Sequence, residues 1–227
     1  MLTVRPILCF LPVCLVLAGC GREQPKTAPP ESAQSSPAPA AAPAPDGRPV
    51  IVAFGDSLSA GHGADPGKSY PDFLQQELDR RGARYRVVNA GVSGDTTTDG
   101  LERVETVTAL KPAIVILEFG GNDGLRGLPV ATTRANLDAM IVALRKAGAK
   151  VVLAGMTLPP NYGPDYIRSF EAVYNDLAKQ YGLALIPFLL RGVGGNPALM
   201  QRDGIHPTAD GNRIVAQNVI KSLEPLL

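Results

Sequence analysis

The chain has 227 residues, with 22 Lys and Arg against 21 Asp and Glu and a formal net charge of +1. So close a balance offers no basic face, and a nucleic-acid partner is not expected. A hydrophobic content of 45% suits a globular domain with a real core, while 5% aromatics and no Trp speak against a carbohydrate-stacking platform.

At the N-terminus Arg5 precedes an apolar run from Ile7 to Leu17, followed by Ala18-Gly19-Cys20. A positive start, an apolar stretch and small residues predict a secretory signal peptide over residues 1–19. The run is shorter than the roughly 20 residues that span a bilayer. Leu17-Ala18-Gly19-Cys20 resembles a bacterial lipobox, which implies Cys20 as a lipidated first mature residue. A plain signal peptide with an incidental cysteine is the alternative. Residues 20–49 are rich in Pro, Ala, Ser and Gln without periodicity, the composition of an extended tether. The expected location is therefore outside the cytoplasm, facing the periplasm or the exterior, with a lipid anchor as the contact to membrane. Of three cysteines, Cys9 and Cys14 fall in the leader and Cys20 is the anchor, so the domain over 50–227 has neither disulfide nor thiol nucleophile.

Pro49 to Phe54 is a continuous apolar run, the pattern of a strand buried on both faces, and it opens into Gly55-Asp56-Ser57. Ser69 to Gly82 reads as a helix, with Tyr70, Phe73, Leu74 and Leu78 spaced by three and four, Ser69 as its cap and Gly82 as its end. Arg84 to Ala90 is a second strand, leading into the loop from Gly91 to Thr96. A helix is expected from Asp99 to about Leu110, stopping before Pro112. Ala113 to Phe119 is the clearest buried strand and runs into Gly120-Gly121-Asn122-Asp123. Val130 to Ala147 places Leu137, Met140, Ile141 and Leu144 on one helical face before Gly148. Lys150 to Ala154 and Leu183 to Ile186 are further strands, separated by a helix from about Asp165 to Tyr181. A last helix after Pro207 carries Ile214, Val215, Val219 and Ile220.

This alternation implies an α/β fold, a doubly wound parallel sheet between two helical layers. In such sheets ligands bind beyond the carboxyl ends of the strands. Each Gly-rich stretch follows a predicted strand, so the loops after the first three strands should converge on one rim.

Ser57 is either a turn residue or a nucleophile, and a nucleophile needs a base held in the right tautomer. The chain has two histidines, His62 and His206. His206 lies three residues after Asp203, close enough for the carboxylate to orient the imidazole from one turn; a helix cap beside a surface histidine fits the spacing as well. His62 sits five residues beyond Ser57 with no acid placed to orient it, and is read as a rim residue. Fixed donors for an oxyanion would be the N–H of Ser57, the N–H of Gly94 and the amide of Asn122. A simple turn at Gly94 and a local Asx bond at Asn122 are the alternatives. Asp56, Asp95 and Asp123 are read as bonding loop backbone. Two distant histidines and no domain thiol make no recognisable metal site.

Taken in order, GDSLSAG, NAGVSGDT, EFGGNDG and DGIHP resemble the four signature blocks of the SGNH (GDSL) hydrolase family over nearly the whole of 50–227. GGNDGLRG and LPPNYG resemble its thioesterase, lysophospholipase and arylesterase subgroup. The resemblance implies a flavodoxin-like fold and catalytic residues Ser57, His206 and Asp203, with Ser57, Gly94 and Asn122 as the oxyanion hole. It implies an acyl groove along the loops from Leu125 to Pro129 and from Met156 to Tyr166, with Leu125, Arg126, Leu128, Leu158, Pro159 and Tyr162 as its residues. The expected activity is hydrolysis of small acyl esters or lipids by a monomer without cofactor. A periplasmic glycan O-acyltransferase or deacetylase with the same triad, and a binding module that kept the fold, are the alternatives.

Overall fold

The computed structural model describes residues 47–227; the leader, Cys20 and nearly all of the tether lie outside them. Strand β1 (Val50–Gly55) is buried at all six positions, as its unbroken apolar run requires, and takes a central place in the sheet. Five parallel strands follow the order β2-β1-β3-β4-β5, with β2 (Arg86–Gly91), β3 (Ile114–Glu118), β4 (Lys150–Ala154) and β5 (Ala184–Ile186).

After β1 comes a one-turn helix, α1 (Ser57–Ala60), and then α2 (Tyr70–Arg80), which starts at a capping box made by Ser69 and Asp72. Between β2 and β3 lie α3 (Thr97–Glu102) and α4 (Val104–Thr108). α5 (Gly121–Leu125) and α6 (Val130–Lys146) follow β3; α7 (Pro164–Tyr181) lies between β4 and β5, and α8 (Ala209–Leu223) closes the fold. The chain moves one way along the sheet from β1 to β2 and the other way from β2 through β5. Right-handed crossovers therefore put α2 on one face and α3, α4, α6 and α7 on the other. The packing agrees, for α2 lies against α8 while α3, α4 and α7 lie against α6.

The core fills both gaps between sheet and helices. Phe54, Ile116 and Leu117 are fully buried, as are Leu74 and Leu78 from α2 and Leu137 and Leu144 from α6. Truncating one of these leucines to alanine costs about 2–5 kcal/mol, depending on how far the site collapses. No helix among the described residues is long and apolar enough to cross a membrane.

Two expectations need correction. The helix expected from Asp99 to Leu110 is two helices, broken at Arg103 with φ −112° and ψ 10°. Its start also moves forward, because Thr96 and Asp99 form a capping box there. Ser57, placed by the sequence in the Gly-rich stretch after the first strand, is instead the first residue of α1. Asp56 caps that turn by accepting from Leu58 N–H at 3.0 Å, and Gly61 closes it in the left-handed region.

Candidate active site

Because β2 and β3 flank β1, the loops that follow these three strands share one edge, where the strand order reverses. The register aligns them further, since Gly55 pairs with Gly91 on one side and Glu118 on the other. Ser57, Gly94 and Asn122 are thus delivered to one rim by the sheet itself. Close approach is a condition of this geometry. A Cβ on Gly91 would lie 2.2 Å from Ala60 N, so only glycine lets β2 end against α1.

On the base side, His206 Nε2 lies 2.8 Å from Ser57 Oγ, and its Nδ1 lies 2.7 Å from Asp203 Oδ2. Asp203 Oδ1 accepts the N–H groups of Ile205 at 2.9 Å and His206 at 3.1 Å. Partial burial pushes this carboxyl up, but the His206 ring and those two N–H groups outweigh it and hold it at about 2. The turn is fastened by Gln201, whose N–H donates to His206 O at 2.7 Å and whose amide donates to Pro207 O at 2.9 Å. The same amide reaches His62 O at 2.7 Å. His62 is exposed and its ring lies tilted against His206, with centroids 4.5 Å apart and 39° between the planes.

The oxyanion side is built from more distant parts of the chain. Asn122 Nδ2 donates to Asp95 O at 2.9 Å and to Asp56 Oδ2 at 3.2 Å. Gly94 has φ +89°, and a side chain there would be strained whatever the space around it. Burial raises the Asp56 carboxyl to about 6, against bonds from Leu58 and Glu118 and the nearby His206 that pull it down. Asp123 accepts Thr97 N–H at 2.9 Å, in keeping with its reading as a backbone-bonding acid. Asp95 departs from that reading: its carboxylate pairs with Arg103 at 2.7 Å.

Glu118 carries no signal in the sequence beyond being one more strand residue. It is fully buried beneath α1, where Oε2 accepts Ser59 Oγ at 2.8 Å and Asp56 N–H at 3.2 Å. Burial, and the Asp56 carboxyl beside it, hold its carboxyl well above the ordinary carboxylate range. A Cβ on Gly55 would lie 2.2 Å from Glu118 Oε2, which makes glycine a requirement there too.

Ser57, Asn122 and His206 form part of the wall of a cavity of about 500 Å³. Of the residues expected in an acyl groove, Leu125, Leu158 and Pro159 line it. Arg126, Leu128 and Tyr162 are not in the wall, and their polar atoms explain why. Arg126 Nη2 donates to Gly94 O at 2.9 Å, Tyr162 Oη donates to Leu125 O at 2.7 Å, and Leu128 O accepts from Tyr166 Oη at 2.8 Å. Of these three, only Tyr162 holds a residue of the wall, Leu125. Met156, the first residue of the second loop expected at the groove, lines it as well, whereas sequence reading missed Phe188, Leu190 and Ile205, which add to the apolar lining.

Residues 53–214 match the model of the GDSL-like Lipase/Acylhydrolase family. The chain belongs to that family. This acylhydrolase is 48% identical over 179 residues to Esterase TesA of Pseudomonas aeruginosa, covering 78% of this chain and 89% of that protein. It is 38% identical over 179 residues to Thioesterase 1/protease 1/lysophospholipase L1 of Escherichia coli (strain K12), covering 78% of this chain and 85% of that one. The crystal structure of TesA superposes with a TM-score of 0.76 at 47% identity, covering 78% of this chain and 99% of that chain. Family and relatives together make the protein a carboxylic ester hydrolase, and they favour that activity over the glycan O-acyltransferase or deacetylase alternative.

Proposed function

We propose that this hydrolase cleaves small acyl esters through an acyl-Ser57 intermediate. The observation that carries the reading is the chain Ser57–His206–Asp203, linked at 2.8 and 2.7 Å and opening on an apolar cavity. His206 Nε2 takes the Ser57 proton as Oγ attacks the acyl carbonyl, and Asp203 holds the Nδ1–H tautomer that leaves Nε2 free to accept. The carbonyl oxygen becomes an oxyanion facing Ser57 N–H, Gly94 N–H and Asn122 Nδ2. The 3.2 Å bond from Asn122 to Asp56 is the longer of its two, and it is the one exchanged for the oxyanion. His206 then protonates the departing alcohol or thiol, and water activated at the same nitrogen releases the acid.

Apolar walls of this volume take an alkyl or aryl acyl group rather than a sugar. Arylesters, lysophospholipids and acyl thioesters are therefore the substrate classes, in line with relatives named arylesterase and thioesterase 1/lysophospholipase L1. Export, a lipid anchor at Cys20 and a monomeric state belong to the same reading and rest on the sequence alone.

The test is a series of p-nitrophenyl esters from acetate to palmitate, with a lysophospholipid beside them. The expected profile has its maximum at an intermediate chain length, and Ser57→Ala removes at least about 10⁴-fold of kcat while the fold is kept. Retained activity in Ser57→Ala would overturn the nucleophile assignment.

A further inference from the structure

Arg103, the residue at which the predicted helix breaks, has its guanidinium turned into the rim. Nη2 donates to Gly55 O at 2.8 Å, Nη1 to Ala90 O at 2.8 Å, and Nε to Asp95 Oδ2 at 2.7 Å. The group also lies over two aromatic rings, 4.7 Å from the Phe54 centroid and 5.5 Å from that of Phe119. Its side chain is 21% exposed and that of Asp95 13%, so the pair is largely shielded from water. Each contact touches a different part of the site. Gly55 O is the last carbonyl before Asp56 and Ser57; Ala90 O is the last but one of β2, ahead of the Gly94 loop; and Asp95 follows Gly94 directly. Asp95 then passes the constraint on, because its own carbonyl accepts Asn122 Nδ2 at 2.9 Å.

We propose that Arg103 is the positioning residue of the oxyanion hole, setting the spacing between the nucleophile turn, the Gly94 loop and Asn122 through one rigid group. The assignment rests on the Ser57 reading above. Arginine suits the task on chemical grounds. Its planar fork makes three divergent bonds at fixed angles while its face stacks on aromatic rings, and a lysine ammonium can do neither. Position matters here because an oxyanion hole works by preorganisation, and a misplacement of about 1 Å can cost about 100-fold in rate. Among the described residues, Glu118 bonds within the nucleophile turn alone, to Asp56 N–H and Ser59 Oγ. Arg126 makes a single bond to Gly94 O, and its side chain stands outside the cavity wall.

The test is a double-mutant cycle on purified full-length protein with Arg103→Lys and Asn122→Ala, read as kcat and KM on one p-nitrophenyl ester. Arg103→Lys should lower kcat by about 10- to 100-fold with KM changed less than about threefold. In the Asn122→Ala background the same change should cost at least about threefold less, since one of the donors that Arg103 positions is already gone. A merely structural arginine would cost the same in both backgrounds, and that result overturns the proposal. So does a loss confined to KM. The cycle of Arg103→Lys with His62→Ala, outside the frame, should be additive; coupling there of the same size as with Asn122 also overturns it. If thermal melting shows Arg103→Lys unfolded, Asp95→Ala removes the Nε contact and is run in the same cycle with the same criterion. Ser57→Ala is assayed in parallel. Activity in that variant sinks the Ser57 reading, whereas an inert Ser57→Ala with an additive cycle sinks the Arg103 role only.

Discussion

Asp203 and His206 lie three residues apart on one turn and bond to each other locally, whereas the groups around Asn122 come from three strand ends and bond across a partly buried network. The first region is fastened at its base by Gln201 and by the bridge between Met200 and Pro207. The second is held by Arg103, Asp95, Asp56 and Glu118, whose acids are surrounded by protein. Both regions serve the same serine. The contrast teaches that a proton-moving group can be built from a short peptide, while a set of fixed dipoles needs the sheet.

The largest effect expected from breaking the contrast is on rate. Asp203→Asn leaves the turn's shape but offers the wrong tautomer to His206, and kcat should fall by about 10³- to 10⁴-fold with KM little altered. A loss under about tenfold would mean that Gln201 and the adjoining His62 ring suffice to orient the base.

A second effect separates the regions by sign. The Asp203 carboxyl sits at about 2 in the fold against an ordinary 3.8, so it contributes stability above about pH 4 and loses it as pH falls toward 2. The Asp56 carboxyl sits at about 6 against the same 3.8, so its contribution is present below about pH 4 and is lost as pH rises through 6. Urea midpoints followed from pH 2.5 to 7.5 should therefore respond at opposite ends. Asp203→Asn flattens the acid limb, and Asp56→Asn flattens the decline between pH 4 and 6. Variants that act on the same limb would erase the distinction.

The smallest effect belongs to His62, which touches the base from outside. His62→Ala should change kcat/KM by no more than about threefold, as for an exposed residue making a ring contact. A loss on the scale of Asp203→Asn would make His62 part of the proton path.

The difference between the two regions also explains what could be read from the chain. Buried parallel strands announce themselves as apolar runs, and Lys150 to Ala154 is read to the residue. The pairing of Asp203 with His206 is visible because it is local. Helices α1 and α5 are not, being one turn long, with α5 opened by glycine and held by neighbours rather than by propensity. The break at Arg103 is a tertiary effect, since nothing nearby in sequence tells that its side chain bonds to Gly55, 48 residues away. Glu118 is hidden for the same reason: an acid at the end of an apolar run says nothing of the serine hydroxyl it will meet 59 residues off. The far wall of the cavity escapes notice because Phe188, Leu190 and Ile205 stand in irregular segments without a repeat to reveal a buried face.

That irregular wall has a consequence of its own. Met156, Phe188 and Leu190 can change size or shape without altering any strand register, while the reacting atoms stand on elements that tolerate almost no change, down to the hydrogen in place of a Cβ at Gly55. Choice of substrate and chemical competence are thus inherited through separate stretches of the chain, and a lineage can explore new esters without putting its reaction at risk.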